Sequence, residues 1–263
     1  MKPDSGGVAG LSRPLEGPAT PPESGLLLVA HGSRDTRHAV TIGQIAAATR
    51  AARPHLEVRV GYLDHDGPRV PDALAAFNTG RVAAVPLLLG HAYHGRIDVP
   101  AALAEGSRRT GVRVDLAAVL GPDPRLLPAA SRAVRNAAGT SPDGDSGLVL
   151  ACAGTTDPDA KAALARLALR WRRALGCDVR VADAAATGPG VGETVEALRA
   201  AGAARVDVAA WFLAPGLLLD RASAAAIAAG ADSVAAPLGA APEVVATVLR
   251  RLDAVATRAA RVA

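Results

Sequence analysis

Residues 26–34 read Leu-Leu-Leu-Val-Ala-His-Gly-Ser-Arg, and this stretch decides the fold. Five apolar residues run without a break and stop at a histidine, a glycine and two polar groups. Such a run is typical of a strand buried on both faces, as in a parallel sheet covered by helices. Ligands of open α/β sheets bind at the carboxyl ends of the strands. His31 therefore lies where chemistry is expected, Gly32 permits a sharp turn, and Ser33 is placed to cap a helix that begins near Asp35.

Strands and helices alternate through the rest of the first half. The pattern predicts helices over residues 36–52, 68–77 and 128–138, a further helix that opens near 99–100, and strands over 56–63, 81–89 and 112–120. The second strand is followed by Asp64 and His65, and the third ends in the polar cluster Gly90-His91-Ala92-Tyr93-His94-Gly95-Arg96. This alternation indicates a mostly parallel sheet with helices on its faces.

The second half of the chain repeats the first. Residues 148–157 align with residues 26–35 without a gap at an offset of 122, and Val179-Arg180-Val181 matches Val58-Arg59-Val60 at an offset of 121. We therefore expect two tandem α/β lobes, each a mostly parallel sheet flanked by helices, that face each other across a cleft. Because such a duplication lets one chain do what two subunits do elsewhere, we also expect a monomer.

Composition divides the chain into four parts. Residues 1–24 are rich in Pro, Gly and Ser and are expected to form a disordered tail. Residues 25–138 form the first lobe, residues 139–146 a linker, and residues 147–263 a second, degenerate lobe.

Composition also argues against several classes of protein. Half of the residues are hydrophobic, but no apolar run approaches the ~18 residues of a membrane span, and the first residues lack the apolar core of a signal peptide. The only cysteines, Cys152 and Cys177, suit a reducing compartment, so we expect a cytoplasmic protein. The net charge of +4 allows an anionic ligand. Nucleic acid is not expected, because aromatic residues make up only 2% of the chain.

The duplication separates functional residues from structural ones. In the alignment of the two halves, His31 faces Ala153, Asp64 faces Ala185, His65 faces Ala186, and His94 faces Leu217 or Leu218. All six histidines (31, 38, 55, 65, 91 and 94) lie in the first half. This one-sided distribution indicates a function for His31 and His94. His38, expected on the exposed side of its helix, and His55, ahead of a strand, are given no role.

Three motifs together resemble the sirohydrochlorin chelatases of the CbiX/SirB type, which are class II chelatases. They are His31-Gly-Ser-Arg, the acidic residue after Tyr62-Leu63, and His94-Gly-Arg-Ile-Asp98-Val-Pro100. The resemblance covers residues 26–120 in detail and the second half as a degenerate repeat. It implies insertion of Fe²⁺ or Co²⁺, or in some members Ni²⁺, into sirohydrochlorin. The divalent metal is then a substrate, and no organic cofactor is implied.

The resemblance implies that His31 and His94 hold the metal ion. Imidazoles with one carboxylate suit first-row divalent ions and release them more readily than thiolates do. Metal insertion also expels two pyrrole protons, so either histidine can instead act as the base. Asp64 stands where the family often has Glu, and it is either a third ligand or a partner that orients an imidazole. We expect His31 and His94 to converge in the cleft and share one ion.

Five further residues are candidates to bind the tetrapyrrole. Arg34 and Arg96 are candidates to pair with its carboxylates, as is Arg37. Ser33 is a candidate donor to a carboxylate, and Tyr93 is placed to pack on the macrocycle. The family often has a small or apolar residue where His91 stands, so the role of His91 is open, as is that of His65.

Several alternatives remain at this stage. We favour Fe²⁺ and siroheme, because siroheme is the more widespread need, with Co²⁺ and cobalamin synthesis as the alternative. A carrier of metal or tetrapyrrole that does no catalysis would use the same ligands. A histidine-type phosphoesterase is disfavoured, because Ala30 stands where that group has its phosphate-binding arginine.

Overall fold

The computed structural model describes residues 25–90, 97–185 and 187–260. The first half contains β1 (Gly25–Ala30), α1 (Thr36–Ala52), β2 (Glu57–Tyr62), α2 (Val70–Ala75), β3 (Arg81–Pro86), α3 (Val99–Thr110), β4 (Arg113–Leu116), a 3-10 turn (Pro124–Leu126) and α4 (Leu127–Ala138). The second half contains β5 (Ser146–Cys152), α5 (Pro158–Leu175), β6 (Asp178–Asp183), α6 (Val191–Ala200), β7 (Arg205–Ala210), α7 (Leu217–Ala228), β8 (Ser233–Val234) and α8 (Pro242–Ala260).

Two separate four-stranded sheets confirm the predicted pair of α/β lobes. Their strand orders are β2-β1-β3-β4 and β6-β5-β7-β8, and every strand pairing in them is parallel. β1 lies between β2 and β3, with Leu28 paired with both Val60 and Val85. The loops that follow β1, β2 and β3 therefore leave the same edge of the sheet side by side.

Side chains of the two central strands divide between cores, as the period of two in a strand requires. In β1, Leu26 and Leu28 belong to a central core, whereas Leu27 and Val29 belong to an outer core under α2 and α3. β5 divides in the same way, with Leu148 and Leu150 in that same central core. The two lobes thus share one apolar core between their sheets.

The last helix of each half packs on the opposite sheet. α4 contacts β7 and β8, and α8 contacts β3 and α1. The apolar face of α8, with Val244, Val248 and Val255, lies in the central core. Each sequence repeat is therefore not a separate packing unit, because its last helix packs on the sheet of the other repeat.

The predicted elements of the first half exist, but several are shorter than expected. The predicted helix over 36–52 coincides with α1. The predicted strand over 81–89 ends at Pro86, because β1 ends at Ala30 and Leu87 makes the last bond, from its N–H to the carbonyl of Val29 at 2.8 Å. Similarly, β4 covers 113–116 rather than 112–120, and α2 covers 70–75 rather than 68–77.

The predicted tail, residues 1–24, lies outside the described residues. β5 begins at Ser146, the last residue of the predicted linker. Cys152 and Cys177 are both buried free thiols. In the described part of the chain, no helix combines the length and hydropathy that a membrane span needs.

Arg251 of α8 ties the exchanged helix to the first half. It donates to the carbonyls of Val119 and Leu120 at 2.9 and 3.2 Å and to the Asp123 carboxylate at 3.0 Å. Asp123 is only 5% exposed, so loss of the Arg251 guanidinium leaves its buried carboxylate with fewer hydrogen bonds.

We expect Arg251→Ala to lower the free energy of unfolding by about 2 kcal/mol, since charged hydrogen bonds of this kind are lost. Urea denaturation followed by circular dichroism measures the change. Arg258→Ala, at an exposed site in the last turn of the same helix, is the control and should change stability by less than about 0.5 kcal/mol. Equal stability of the two variants would contradict the role of Arg251.

Candidate functional site

A cavity of about 560 Å³ lies where the carboxyl ends of the two sheets meet. The first half lines it with the turn after β1, with His38 and His65, and with residues 87–90 after β3. The second half lines it with residues 152–155 after β5, with two α5 residues, and with residues 211–219 after β7. Both halves therefore contribute their equivalent loops to one site, and the predicted cleft is present.

The turn after β1 presents His31 at the cavity. Gly32 has a φ of +93°, which favours glycine, and a Cβ there would overlap the carbonyl oxygen of Asp64. The overlap arises because the N–H of Asp64 donates to the carbonyl of His31 at 2.8 Å, which draws the two turns together. The glycine is thus required by a close approach of two backbones.

Asp66 fastens the same two turns from the side. Its carboxylate accepts from the N–H of Ser33 at 2.9 Å. The prediction that Ser33 caps α1 is wrong: Asp35 is the cap and accepts from the N–H of Arg37, while the Ser33 hydroxyl accepts from the N–H of Asp35 at 3.1 Å. The hydroxyl is occupied in shaping the turn, and Ser33 still lines the cavity.

Three described histidines line the cavity. The rings of His31 and His65 are nearly perpendicular, with their centroids 6.5 Å apart. The expectation that His38 lies on the exposed side of its helix is wrong, because its side chain is 18% exposed and lines the cavity. Burial lowers the pKa of His38, which favours its neutral form. His55 is exposed and does not line the cavity.

Asp64 lies beside the cavity rather than in its lining. Its side chain is 57% exposed and accepts from Arg69 at 3.0 Å and from the N–H of His65 at 2.8 Å. The hydrogen bond from Arg69 is the main reason that the pKa of Asp64 lies below its ordinary value. The side chain of His65, and not that of Asp64, therefore lines the cavity together with His31.

The remaining predicted site residues fall into three groups. Arg34 lines the cavity, is exposed, and pairs with no carboxylate in the described part of the chain. Arg37 instead pairs with Asp35 and with Asp220 of α7, so it joins the two halves beside the cavity. The third group, His91, Tyr93, His94 and Arg96, lies outside the described residues.

The second half supplies an apolar wall that the sequence reasoning did not identify. Trp211 and Leu213 are buried cavity residues, and Leu217 to Leu219 continue this wall into α7. The indole N–H of Trp211 donates to the carbonyl of Leu89 at 3.4 Å, across the two halves. The signal in the sequence was the run of leucines in both halves that continues past the strand ends.

Cys152, another cavity residue, is not poised to bind metal. Its thiol lies 3.3 Å from a carboxylate oxygen of Asp183 and is buried. Burial, followed by the hydrogen bond to Asp183, raises the pKa of the thiol to about 12, so it is neutral at physiological pH. The described cavity side chains that are able to bind a metal ion are thus the imidazoles of the first half.

Comparison with known proteins agrees with this arrangement. The model of the CbiX family matches residues 25–137 and 147–255. A sirohydrochlorin cobaltochelatase of Methanothermobacter thermautotrophicus is 35% identical over 82 residues, which are 30% of this chain and 57% of that protein. One of Methanosarcina acetivorans is 30% identical over 91 residues, 34% of this chain and 70% of that protein. The chain thus spans just over half the length of the first of these relatives.

The fold is also that of a solved structure. SirB from Bacillus subtilis with Fe³⁺ superposes with a TM-score of 0.77 at 20% identity, covering 90% of this chain and 97% of that one. The superposed region therefore includes both halves of the present chain.

We expect Gly32→Ala to lower the free energy of unfolding by about 2–4 kcal/mol, because it combines an unfavourable φ with overlap on fixed backbone. Gly43→Ala is the matched control: Gly43 is an exposed helical residue of α1, and a Cβ there meets nothing. It should raise stability by about 0.5–1 kcal/mol. Urea denaturation of both variants measures the change in the free energy of unfolding. A Gly32→Ala variant as stable as the parent would contradict the close approach of the two backbones.

Proposed function

This chain belongs to the CbiX family, and from that premise we propose that it is a chelatase that inserts a divalent metal ion into sirohydrochlorin. The reaction exchanges the metal ion for the two pyrrole protons of the macrocycle. One chain supplies both walls of the site, so we propose that it acts as a monomer. We also propose that it is cytoplasmic, because its two cysteines suit a reducing compartment.

The single observation that carries this proposal is the asymmetry of the cavity. His31, His65 and His38 line the side formed by the first half, whereas the second half contributes a largely apolar wall that includes Trp211 and Leu213. A tetrapyrrole has apolar faces and a centre of four nitrogens, so it suits a slot with one apolar wall and one wall that presents a metal ion. A phosphoesterase would need cations around its histidine instead.

Imidazole ligands fit the task of delivering a metal ion. They bind Fe²⁺, Co²⁺ and Ni²⁺ without the tight hold of thiolates, so the ion can pass to the macrocycle. We assign His31 as a ligand, with His94 as the second ligand that the family resemblance implies. A neutral imidazole such as that of His38 can accept a pyrrole proton as the metal enters.

Arg34 is the described residue best suited to bind the periphery of the substrate. Sirohydrochlorin is a polycarboxylate, and a guanidinium pairs with a carboxylate through two parallel hydrogen bonds. Arg34 faces the cavity and has no carboxylate partner among the described residues, so its guanidinium is available. We assign Arg96, Ser33 and Tyr93 to the same ligand on the sequence alone.

We expect His31→Ala to lower the rate of metal insertion more than about 100-fold, because a ligand of the ion is lost. The measurement is the absorbance of the metallated macrocycle over time, under anaerobic conditions and against a reaction without protein. His55→Ala, at an exposed histidine away from the cavity, should insert metal at the parental rate. An unchanged rate in His31→Ala would remove His31 from the mechanism.

The same assay separates an enzyme from a carrier. A chelatase forms many equivalents of metallated product per protein, whereas a carrier binds one equivalent and stops. The chelatase proposal fails if product formation ends at one equivalent with both substrates in excess.

We favour Fe²⁺ as the physiological ion, with Co²⁺ as the alternative, because siroheme is the more widespread need. An imidazole site by itself binds Co²⁺ more tightly than Fe²⁺, so selection in the cell depends on metal supply. Deletion of the gene should then create a requirement for reduced sulfur, because siroheme serves sulfite reduction. Loss of cobalamin synthesis with normal sulfite reduction would favour Co²⁺ and leave the chelatase assignment intact.

A further inference from the structure

His65 lies beside His31 on the same side of the cavity. We propose that His65 binds the metal ion together with His31, and that Asp64 acts on His65 rather than on the ion. The inference rests on the proposed chelatase function and assigns a ligand of that same site.

The two rings lie close enough to reach one ion after a small movement. An imidazole nitrogen binds a divalent ion at about 2.0–2.1 Å, so two rings on one tetrahedral ion have centroids roughly 5 Å apart. The centroids of His31 and His65 are 6.5 Å apart, so a shared ion requires rotation of the side chains to bring the rings closer. Both side chains line the cavity, so the space between them is open to an ion and to a substrate.

The surroundings of Asp64 favour a supporting role. Its carboxylate is already held by Arg69 and by the N–H of His65, and it is more exposed than the His65 ring. One of its oxygens lies 3.6 Å from Nε2 of His65. A carboxylate beside one ring nitrogen orients a metal-binding histidine and raises its basicity. Nδ1 of His65 is then the nitrogen left for the ion.

The backbone of His65 has a conformation that residues other than glycine rarely adopt. Its φ is +60°, in the left-handed region where a residue with a Cβ is disfavoured. The bond from the N–H of Asp64 to the carbonyl of His31 and the one from Ser33 to Asp66 fix this turn. Residues held in such conformations cluster at functional sites.

The pair also leaves the ion accessible. Within residues 25–90, 97–185 and 187–260, no three His, Cys, Asp or Glu side chains are close enough together to enclose a metal ion. His31 and His65, even with His94 as a third ligand, therefore leave positions open for the nitrogens of the macrocycle. A closed set of four protein ligands would retain the ion instead.

The test is a Co²⁺ titration of the full chain without an affinity tag, followed by equilibrium dialysis and by the visible absorption of bound Co²⁺. His65→Gly removes the imidazole while suiting the left-handed backbone, so the variant should fold. We expect it to bind Co²⁺ about 10- to 100-fold more weakly, and free imidazole should restore both affinity and spectrum. Asp64→Asn should weaken binding less than His65→Gly, and His55→Ala not at all.

Other results would overturn the proposal in distinct ways. If His65→Gly binds Co²⁺ as the parent does, then His65 is not a ligand; if Asp64→Asn weakens binding more than His65→Gly, then Asp64 is the ligand. Weakened binding that free imidazole does not restore would indicate a structural role for His65. All three leave the proposed function standing, provided that the parent inserts metal into sirohydrochlorin. A parent that neither binds Co²⁺ nor inserts metal would contradict the proposed function itself.

Discussion

The structure depends on the burial of both faces of its two central strands. Alternate residues of β1 and β5 enter one central core, and the residues between them enter separate outer cores. Because the central core takes side chains from both sheets, the lobes are fixed relative to each other. The cavity lies where the carboxyl ends of these two sheets meet, so its width is set by apolar packing below it and not by the polar residues that line it.

Both halves have the same backbone turn after their first strand, but only the first half has histidines. Gly154 has a φ of +98°, close to that of Gly32, and the N–H of Ala185 donates to the carbonyl of Ala153 as that of Asp64 does to His31. The second half thus builds the same turn around alanines. With alanines at these positions, that turn and the leucines beyond β7 form an apolar wall of the cavity. Asymmetry between the walls is what makes the cleft suited to a flat ligand.

Much of the fold could be predicted from local pattern. The buried run before His31, the alternation of strands and helices and the repeat led to two parallel α/β lobes, because each signal reflects burial that local sequence dictates. The repeat could not show that α4 and α8 exchange sheets. That exchange depends on which apolar faces meet in space, and the sequence records only that the faces exist.

The site was predictable to a smaller extent, for physical reasons that differ between residues. His31 follows a buried strand and was placed correctly at the cavity. Leu87 to Leu89 were assigned to a strand because an apolar cavity wall and a buried strand have the same composition. His38 was misplaced because the cavity lies against the start of α1, and the Asp66 carboxylate, which follows β2, comes within 3.8 Å of its ring. The choice between Asp64 and His65 depends on a left-handed residue, and single sequences carry little signal for such a conformation.

The position of α8 has a consequence for the order in which the chain can fold. α8 covers β3 and α1, so the sheet that begins at residue 25 lacks part of its cover until residues 242–260 have been synthesised. During synthesis the nascent first half exposes apolar surface that nothing yet made can bury, and such surface promotes aggregation. The contacts that complete it also join residues about 200 positions apart, as Arg53 and Asp253 do, which slows folding. The first sheet is therefore completed only after the whole second half has been synthesised, and a chain that stops before α8 lacks the helix that covers β3 and α1.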